Sequence, residues 1–266
     1  SLNKIYNYLN KYDPEIQTGN LKLEKINKIK FDNVCFSYNN DRQVLSNIAI
    51  DANNNDKIAI VGRTGCGKTT LVNLLCKFYD VSKGEILINE KNINDYTLES
   101  LRENIGYVMQ DVVIFDGNIY DNINYAKKDV TKEQIEKICK KLRLHDKIIS
   151  FNEGYELDLN KNQDLFSMGE KQMINFARIM VENPSVVILD EITSSLSYEN
   201  EELVKNAIKE VTKDKICFII AHRLTTIKSC NKIIYMENGN ILENGNHQEL
   251  MDLKGKYYEL VSNNIW

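Results

Sequence analysis

Hydrophobic positions change their period along the chain, and those changes mark out its elements. From Ile29 to Tyr38 they alternate, at Ile29, Phe31, Val34, Phe36 and Tyr38, as a strand with one buried face does. Ile48 to Ala52 and Lys57 to Val61 predict further strands. Thr69 to Tyr79 has helical spacing, with Leu71, Leu74, Leu75 and Phe78 inward. Gly84 to Ile88 and Ile105 to Met109 are short strands. Asn118 to Ser150 reads as mostly helical, its apolar face formed by Ile119, Ile123, Ile135, Ile138, Cys139 and Leu142. Ser167 to Glu182 predicts a helix with Met173, Phe176, Ala177 and Met180 inward. Ser185 to Asp190, Lys215 to Ala221 and Lys232 to Met236 have uninterrupted apolar centres, the pattern of a sheet buried on both faces. Helices at Tyr198 to Val211 and Thr225 to Lys228 separate them. Asn238-Gly239 and Asn244-Gly245 predict hairpin-type turns, and a short helical tail follows. At the other end, Leu2, Ile5, Tyr6 and Leu9 predict a helix stopped by Asp13-Pro14, then a polar, Lys-rich linker to about Lys28.

Strands alternating with helices, and a helical insert from about Leu98 to Glu182, predict an α/β domain whose parallel core carries a helical lobe. A length of 266 residues suits one such domain. The charge balance, 34 basic against 38 acidic residues, lacks the basic excess of a nucleic-acid binder. Six cysteines without a CxxC pair or a histidine cluster predict reduced thiols, not a zinc site or disulfide framework. No apolar run approaches the roughly 18 residues that span a bilayer. No signal peptide is evident, and the chain begins at Ser1, as a piece of a longer protein would.

The chemistry concentrates in two places. Gly62, Arg63, Thr64, Gly65, Cys66, Gly67, Lys68 and Thr69 fit the pattern G-x-x-x-x-G-K-[ST], with an apolar strand before it and an amphipathic helix after it. Glycines let backbone N–H groups turn into one concavity and approach phosphates, and the helix N-terminus adds partial positive charge. Lys68 is expected to reach the β- and γ-phosphates of ATP. Thr69 is expected to offer its hydroxyl to Mg²⁺, and Thr70 to hydrogen-bond the α-phosphate. Cys66 reads as a small filler of the loop. The second place is the buried strand Val186 to Leu189, which ends in Asp190 and Glu191. Beside a phosphate loop, Asp190 is placed to hold Mg²⁺ through water, and Glu191 to polarise an attacking water.

In this order the motifs resemble the nucleotide-binding domain of an ATP-binding-cassette transporter, over nearly the whole chain. Tyr38, in Phe36-Ser37-Tyr38, stands where the family stacks an aromatic on adenine. Gln110, in Val108-Met109-Gln110-Asp111, resembles the glutamine that touches Mg²⁺ and the transmembrane partner. Phe166-Ser167-Met168-Gly169-Glu170 occupies the place of the family signature, in which Ser167 and Gly169 contact the γ-phosphate held by a second domain. Thr193 to Ser197 resembles the loop after the catalytic acid. His222, in Ala221-His222-Arg223-Leu224, resembles the switch histidine that holds the γ-phosphate. Asp116 to Ile123, Ala221 to Ile227 and Asn238 to Leu250 resemble exporter-type domains in particular.

The resemblance implies a P-loop NTPase (RecA-like) core with a mainly parallel sheet, an N-terminal antiparallel β subdomain and a helical subdomain. It implies residues 1–28 as the linker from a transmembrane domain and 29–266 as the nucleotide-binding domain. The expected ligands are ATP and Mg²⁺. The expected partners are a transmembrane domain, of the same or another chain, and a second nucleotide-binding domain in a homodimer or heterodimer. The expected place is the cytoplasmic face of a membrane, with Glu191, His222, Gln110 and Lys68 as the catalytic set. The chain departs from the family where Met168 stands for a glycine, Glu170 for a glutamine and Ser197 for an acid, and where Asn160-Lys161-Asn162-Gln163 stands for the exporters' Gly-Glu-Arg-Gly setting before the signature. Ser167-x-x-Glu170 also fits a capping box, in which the Glu170 side chain folds back onto the Ser167 backbone.

Overall fold

The computed structural model describes residues 19–38, 43–109, 111–125, 130–190, 198–221 and 223–263. The helix expected before Asp13 and the first residues of the linker lie outside them; residues 19–28, the rest of the expected linker, are described, and Leu23 and Ile26 among them are buried in the core.

Two sheets organise the chain. The first is antiparallel, built by β1 (Lys28–Ser37), β2 (Gln43–Asn53), β4 (Lys83–Ile88) and the two-residue β5 (Lys91–Asn92) in the order β2-β1-β4-β5. The second takes β3 (Lys57–Val61), β6 (Ile105–Val108), β7 (Val186–Asp190), β8 (Ile216–Ile220), β9 (Lys232–Glu237) and β10 (Asn240–Gly245) in the order β10-β9-β3-β8-β7-β6. Its five inner-to-edge strands from β9 to β6 run parallel, and β10 closes it antiparallel.

The uninterrupted apolar runs follow from burial on both faces. Ile58, Ile60, Val186, Ile188, Ile216, Phe218 and Ile220 join one core, with the antiparallel sheet and with Leu71, Leu74 and Leu75 of α1 (Lys68–Leu75). Their sequence neighbours Ala59, Val61, Val187, Leu189, Cys217 and Ile219 join the other core, which the helical segments cover. Alternate residues of one strand therefore feed different cores, as the two-residue period of a strand requires.

Three expectations are corrected. The helix from Thr69 ends at Leu75 rather than Tyr79. Lys77 takes φ 52°, the Phe78 N–H reaches back to the Asn73 carbonyl at 3.0 Å, and the Phe78 ring turns outward under the Arg102 guanidinium at 5.2 Å. Asn244-Gly245 is not a turn, because both residues sit in the β10 ladder opposite Ile234 and Ile233. Asn246 then caps the next helix. Asn238-Gly239 does turn, with φ of 48° and 76°. The helical insert expected over about 98–182 is narrower, because β6 belongs to the parallel sheet. The stretch from Asn118 to Ser150 is mostly helical as expected, in three pieces, α3 (Ile119–Ile123), α4 (Lys132–Lys141) and α5 (His145–Ile149), after α2 (Leu98–Glu103). Capping boxes at Asn118 and Thr131 start the first two of these three afresh. Then come α6 (Met168–Glu182), α7 (Tyr198–Val211), α8 (Leu224–Lys228), α9 (His247–Leu253) and α10 (Lys256–Ser262). Among the described residues no helix is long and apolar enough to cross a membrane.

Candidate nucleotide site

The loop from Gly62 to Gly67 joins β3 to α1, so it opens at the C-terminal edge of the parallel sheet. Ligands of open α/β sheets bind at that edge. Gly62 has φ 146°, and a Cβ there would stand 2.1 Å from the Met236 carbonyl oxygen, so only glycine fits. Gly67 takes the left-handed conformation as N-cap of α1, at φ 107°. Lys68 is only 6% exposed. Its ammonium donates to the carbonyls of Gly62 at 2.8 Å and Arg63 at 3.2 Å, which holds the charge across the mouth of the loop. Arg63, Thr64, Gly65 and Thr69 are exposed around it. Cys66 is buried and belongs to the core beneath the loop. Burial pushes its thiol up despite the nearby Lys68 charge, which fits a filler and not a reactive thiolate.

Tyr38 and Thr70 are in direct contact. The two hydroxyls lie 3.0 Å apart, and the Tyr38 ring is 46% exposed. The residue expected at the adenine and a residue expected at the α-phosphate are thus joined before any base arrives.

Asp190 ends β7 in register with Ile220 of β8, and Ile220 is in register with Ile60 of β3. Strands lie about 4.8 Å apart, so the Asp190 backbone stands roughly 10 Å from that of Ile60, two residues before Gly62. Tyr107 of β6, 83 residues away in sequence, donates its hydroxyl to Asp190 Oδ2 at 2.9 Å. Burial, then the Asp190 charge, raises the Tyr107 phenol, so it stays a donor at neutral pH. An aromatic on a short edge strand carries no local signal for that role, and sequence reasoning missed it.

Mg²⁺ takes hard oxygen ligands, needs few from protein and completes its shell with phosphates and water. The exposed Thr69 hydroxyl and the Asp190 carboxylate supply that donor type. Among the described residues no cluster of three His, Cys, Asp or Glu could hold a metal by itself. A metal shared with a phosphate chain fits this donor set.

The segment after β6 is clasped to α6 at two points. Gln172 donates to the Met109 carbonyl at 3.3 Å, next to Gln110 in the chain. Arg178 donates to the Val113 carbonyl at 2.7 Å, the Asn122 carbonyl at 2.7 Å and Asn122 Oδ1 at 2.9 Å, with Phe115 under its guanidinium at 4.7 Å. Neither residue was expected. Arg178 lies about 100° round α6 from Ala177 and outside the inward stripe of Met173, Phe176, Ala177 and Met180, so the apolar spacing carried no signal for it.

At the start of α6 the capping box forms. Ser167 Oγ accepts from the Glu170 N–H at 3.3 Å, and Glu170 Oε2 accepts from the Ser167 N–H at 2.7 Å. Lys147 stands 4.0 Å from the other Glu170 oxygen. The carboxylate is therefore engaged with its own helix cap and partly balanced, which lessens its repulsion toward a phosphate ahead of that helix. Ser167 is exposed, Gly169 is buried and Met168 is 44% exposed. Glu170→Gln keeps an acceptor for the cap and is expected to leave the denaturant midpoint and ATP affinity nearly unchanged. Glu170→Ala is expected to cost about 1 kcal/mol in denaturant unfolding. A tenfold gain in ATP affinity for the Gln variant would mean that the carboxylate does face the phosphate.

Gln110, Glu191, His222 and the loop from Thr193 to Ser197 lie outside the described residues. Their positions follow only from the chain. Gln110 comes two residues after Val108 of β6, Glu191 directly after Asp190, and His222 two residues after Ile220 of β8.

Comparison with known proteins agrees with this arrangement. A profile described as ABC transporter matches residues 45–194. The chain is 41% identical over 235 residues to YgaD of Bacillus subtilis (strain 168), whose name describes a multidrug export ATP-binding/permease protein; the match covers 88% of this chain and 40% of that protein. A similarly named protein of Staphylococcus aureus (strain NCTC 8325) is 38% identical over 253 residues, covering 94% of this chain and 44% of its own. The solved structure of a bacterial Atm1-family ABC exporter with ATP bound superposes with a TM-score of 0.89 at 29% identity, covering 100% of this chain and 47% of that one. The chain thus spans less than half the length of these relatives. With the phosphate loop, the acid-tipped strand and the two-sheet fold in place, the chain belongs to the ABC transporter family and has the fold of its ATPase domain.

Proposed function

We propose that this chain binds and hydrolyses ATP as the engine of an exporter, at the cytoplasmic face of a membrane. The observation that carries the reading is the Lys68 ammonium, buried at the mouth of a glycine loop on the same sheet edge as Asp190. Tyr38 takes the adenine, and residues Gly62 to Thr70 surround the phosphates. Thr69, Gln110 and Asp190 hold Mg²⁺, which neutralises phosphate charge. Glu191 orients or deprotonates the attacking water and His222 holds the γ-phosphate. Two domains close head to tail, so Ser167 and Gly169 of one complete the site of the other. Catalysis is positioning and charge stabilisation, as phosphoryl transfer requires.

A transmembrane domain is the second partner. The groove bordered by Glu99, Tyr107, Met109, Val113, Tyr125 and Asn175 presents half-exposed apolar side chains, Met109, Val113 and Tyr125, beside the expected glutamine loop. The clasp by Gln172 and Arg178 couples that segment to the signature helix. The transported substrate is contacted by a transmembrane domain and not by these residues. A second reading, the hydrolytic half of a heterodimer, is favoured by Met168, which puts a bulky side chain where the family has a glycine.

Phosphate release from Mg·ATP by the purified chain tests the reading. If two copies complete each site, hydrolysis per chain is expected to rise with chain concentration and to plateau once dimers form. A rate per chain independent of concentration from a monomer would refute the head-to-tail site. No hydrolysis alone, with full activity on adding a partner domain, would select the heterodimer.

A further inference from the structure

Tyr38 is more constrained than a base platform on a loop needs to be. Its ring lies 4.8 Å from that of Phe36 at 84°, and 5.1 Å from that of Tyr79 at 89°. Tyr79 in turn lies 5.6 Å from Phe36. Phe36 is buried, while Tyr79 is 46% exposed, like Tyr38 itself. The Tyr38 hydroxyl is tied to Thr70, which is buried in the first turn of α1. Tyr79 is brought to this corner by the left-handed break at Lys77, without which α1 would continue along its axis.

We propose that Tyr79 and Thr70 are positioning residues for the nucleobase: Tyr79 packs perpendicular to the Tyr38 ring and Thr70 tethers its hydroxyl, so that the platform is set before ATP binds. Edge-to-face contacts and a hydroxyl tether each remove freedom that a solvent-exposed ring would otherwise lose on stacking. The consequence is specific. Weakening either contact lowers affinity for the base and leaves affinity for the phosphate chain alone. This rests on the reading of Tyr38 as the adenine contact.

Calorimetric titration with ATP and with inorganic tripolyphosphate separates the two. Tyr79→Leu is expected to weaken ATP binding about three- to tenfold while tripolyphosphate binding stays the same. Tyr79→Phe keeps the ring and is expected to restore ATP affinity. Tyr38→Phe keeps the stacking ring, loses the tether to Thr70 and is expected to lose about two- to fivefold for ATP only. If Tyr79→Leu lowers both ligands in parallel, Tyr79 is merely structural and the proposal fails. It fails equally if Tyr79→Leu and Tyr38→Phe bind ATP as wild type does while Tyr38→Ala does not. If Tyr38→Ala also binds ATP normally, the adenine assignment itself is lost. Should Tyr79→Leu not fold, the Tyr38→Phe comparison still decides.

Discussion

Replacing Lys68 with alanine is expected to weaken ATP binding by at least a hundredfold, measured by calorimetry or by a fluorescent ATP analogue. Two effects add. The ammonium is a charge-assisted donor aimed at where the β- and γ-phosphates are expected, and each such bond contributes about 1.5–3 kcal/mol. It also donates to the Gly62 and Arg63 carbonyls, which bridges the start of the loop to the start of α1. Alanine leaves both carbonyls to water and removes the one lysine in the loop. The neighbouring N–H groups and helix terminus remain, so weak phosphate binding is expected to persist. Lys68→Arg tests geometry against charge: a planar fork cannot occupy the pocket of a buried ammonium, and it is expected to recover only a small part of the loss. A Lys68→Ala protein that bound ATP within tenfold of wild type would remove the loop from the site.

What was legible beforehand divides along a physical line. Local chemistry was readable. The glycine spacing around Cys66, the Ser167-x-x-Glu170 box and the apolar runs of β7, β8 and β9 each encode their geometry within a few residues, and each formed as expected. The helix break at Lys77 was not readable, because a lysine at positive φ is stabilised by what Phe78 and Tyr79 then contact, and those partners lie on other elements. Asn244-Gly245 carries a turn signature, yet the antiparallel pairing of β10 with β9 had already been fixed by Asn238-Gly239, and the ladder overrides the dipeptide. Tyr107 with Asp190, and Arg178 with Asn122, join side chains 83 and 56 residues apart. No periodicity within one segment records such a pair. The candidate site shows the same division: the loop and the acid were visible as motifs, while the side chains that orient them emerged only from the packing.

Glu191→Gln should act on a different quantity. The substitution keeps size and hydrogen-bonding capacity and removes the ability to take a proton from water, so ATP affinity is expected to stay within about threefold of wild type. Turnover is expected to fall about 10²- to 10⁴-fold, the usual contribution of a positioned general base. With hydrolysis stopped, the closed form should accumulate, and light scattering with Mg·ATP is expected to detect a dimer that wild type forms only transiently. Asp190→Asn is the contrast. It alters the carboxylate that Tyr107 holds, so its loss should appear as a raised Mg²⁺ requirement and not as trapped dimer. The dimer also bears on the signature. Glu170 is engaged with its own helix cap, so the exposed Met168 is the signature departure that the proposed head-to-tail dimer would have to accommodate. If Met168 is accommodated, Glu191→Gln forms ATP-dependent homodimers. If it blocks closure, the variant stays monomeric while binding ATP normally, and Met168→Gly in the same background should restore the dimer. Equal loss of ATP binding in Lys68→Ala and Glu191→Gln would undo the division of labour between loop and acid.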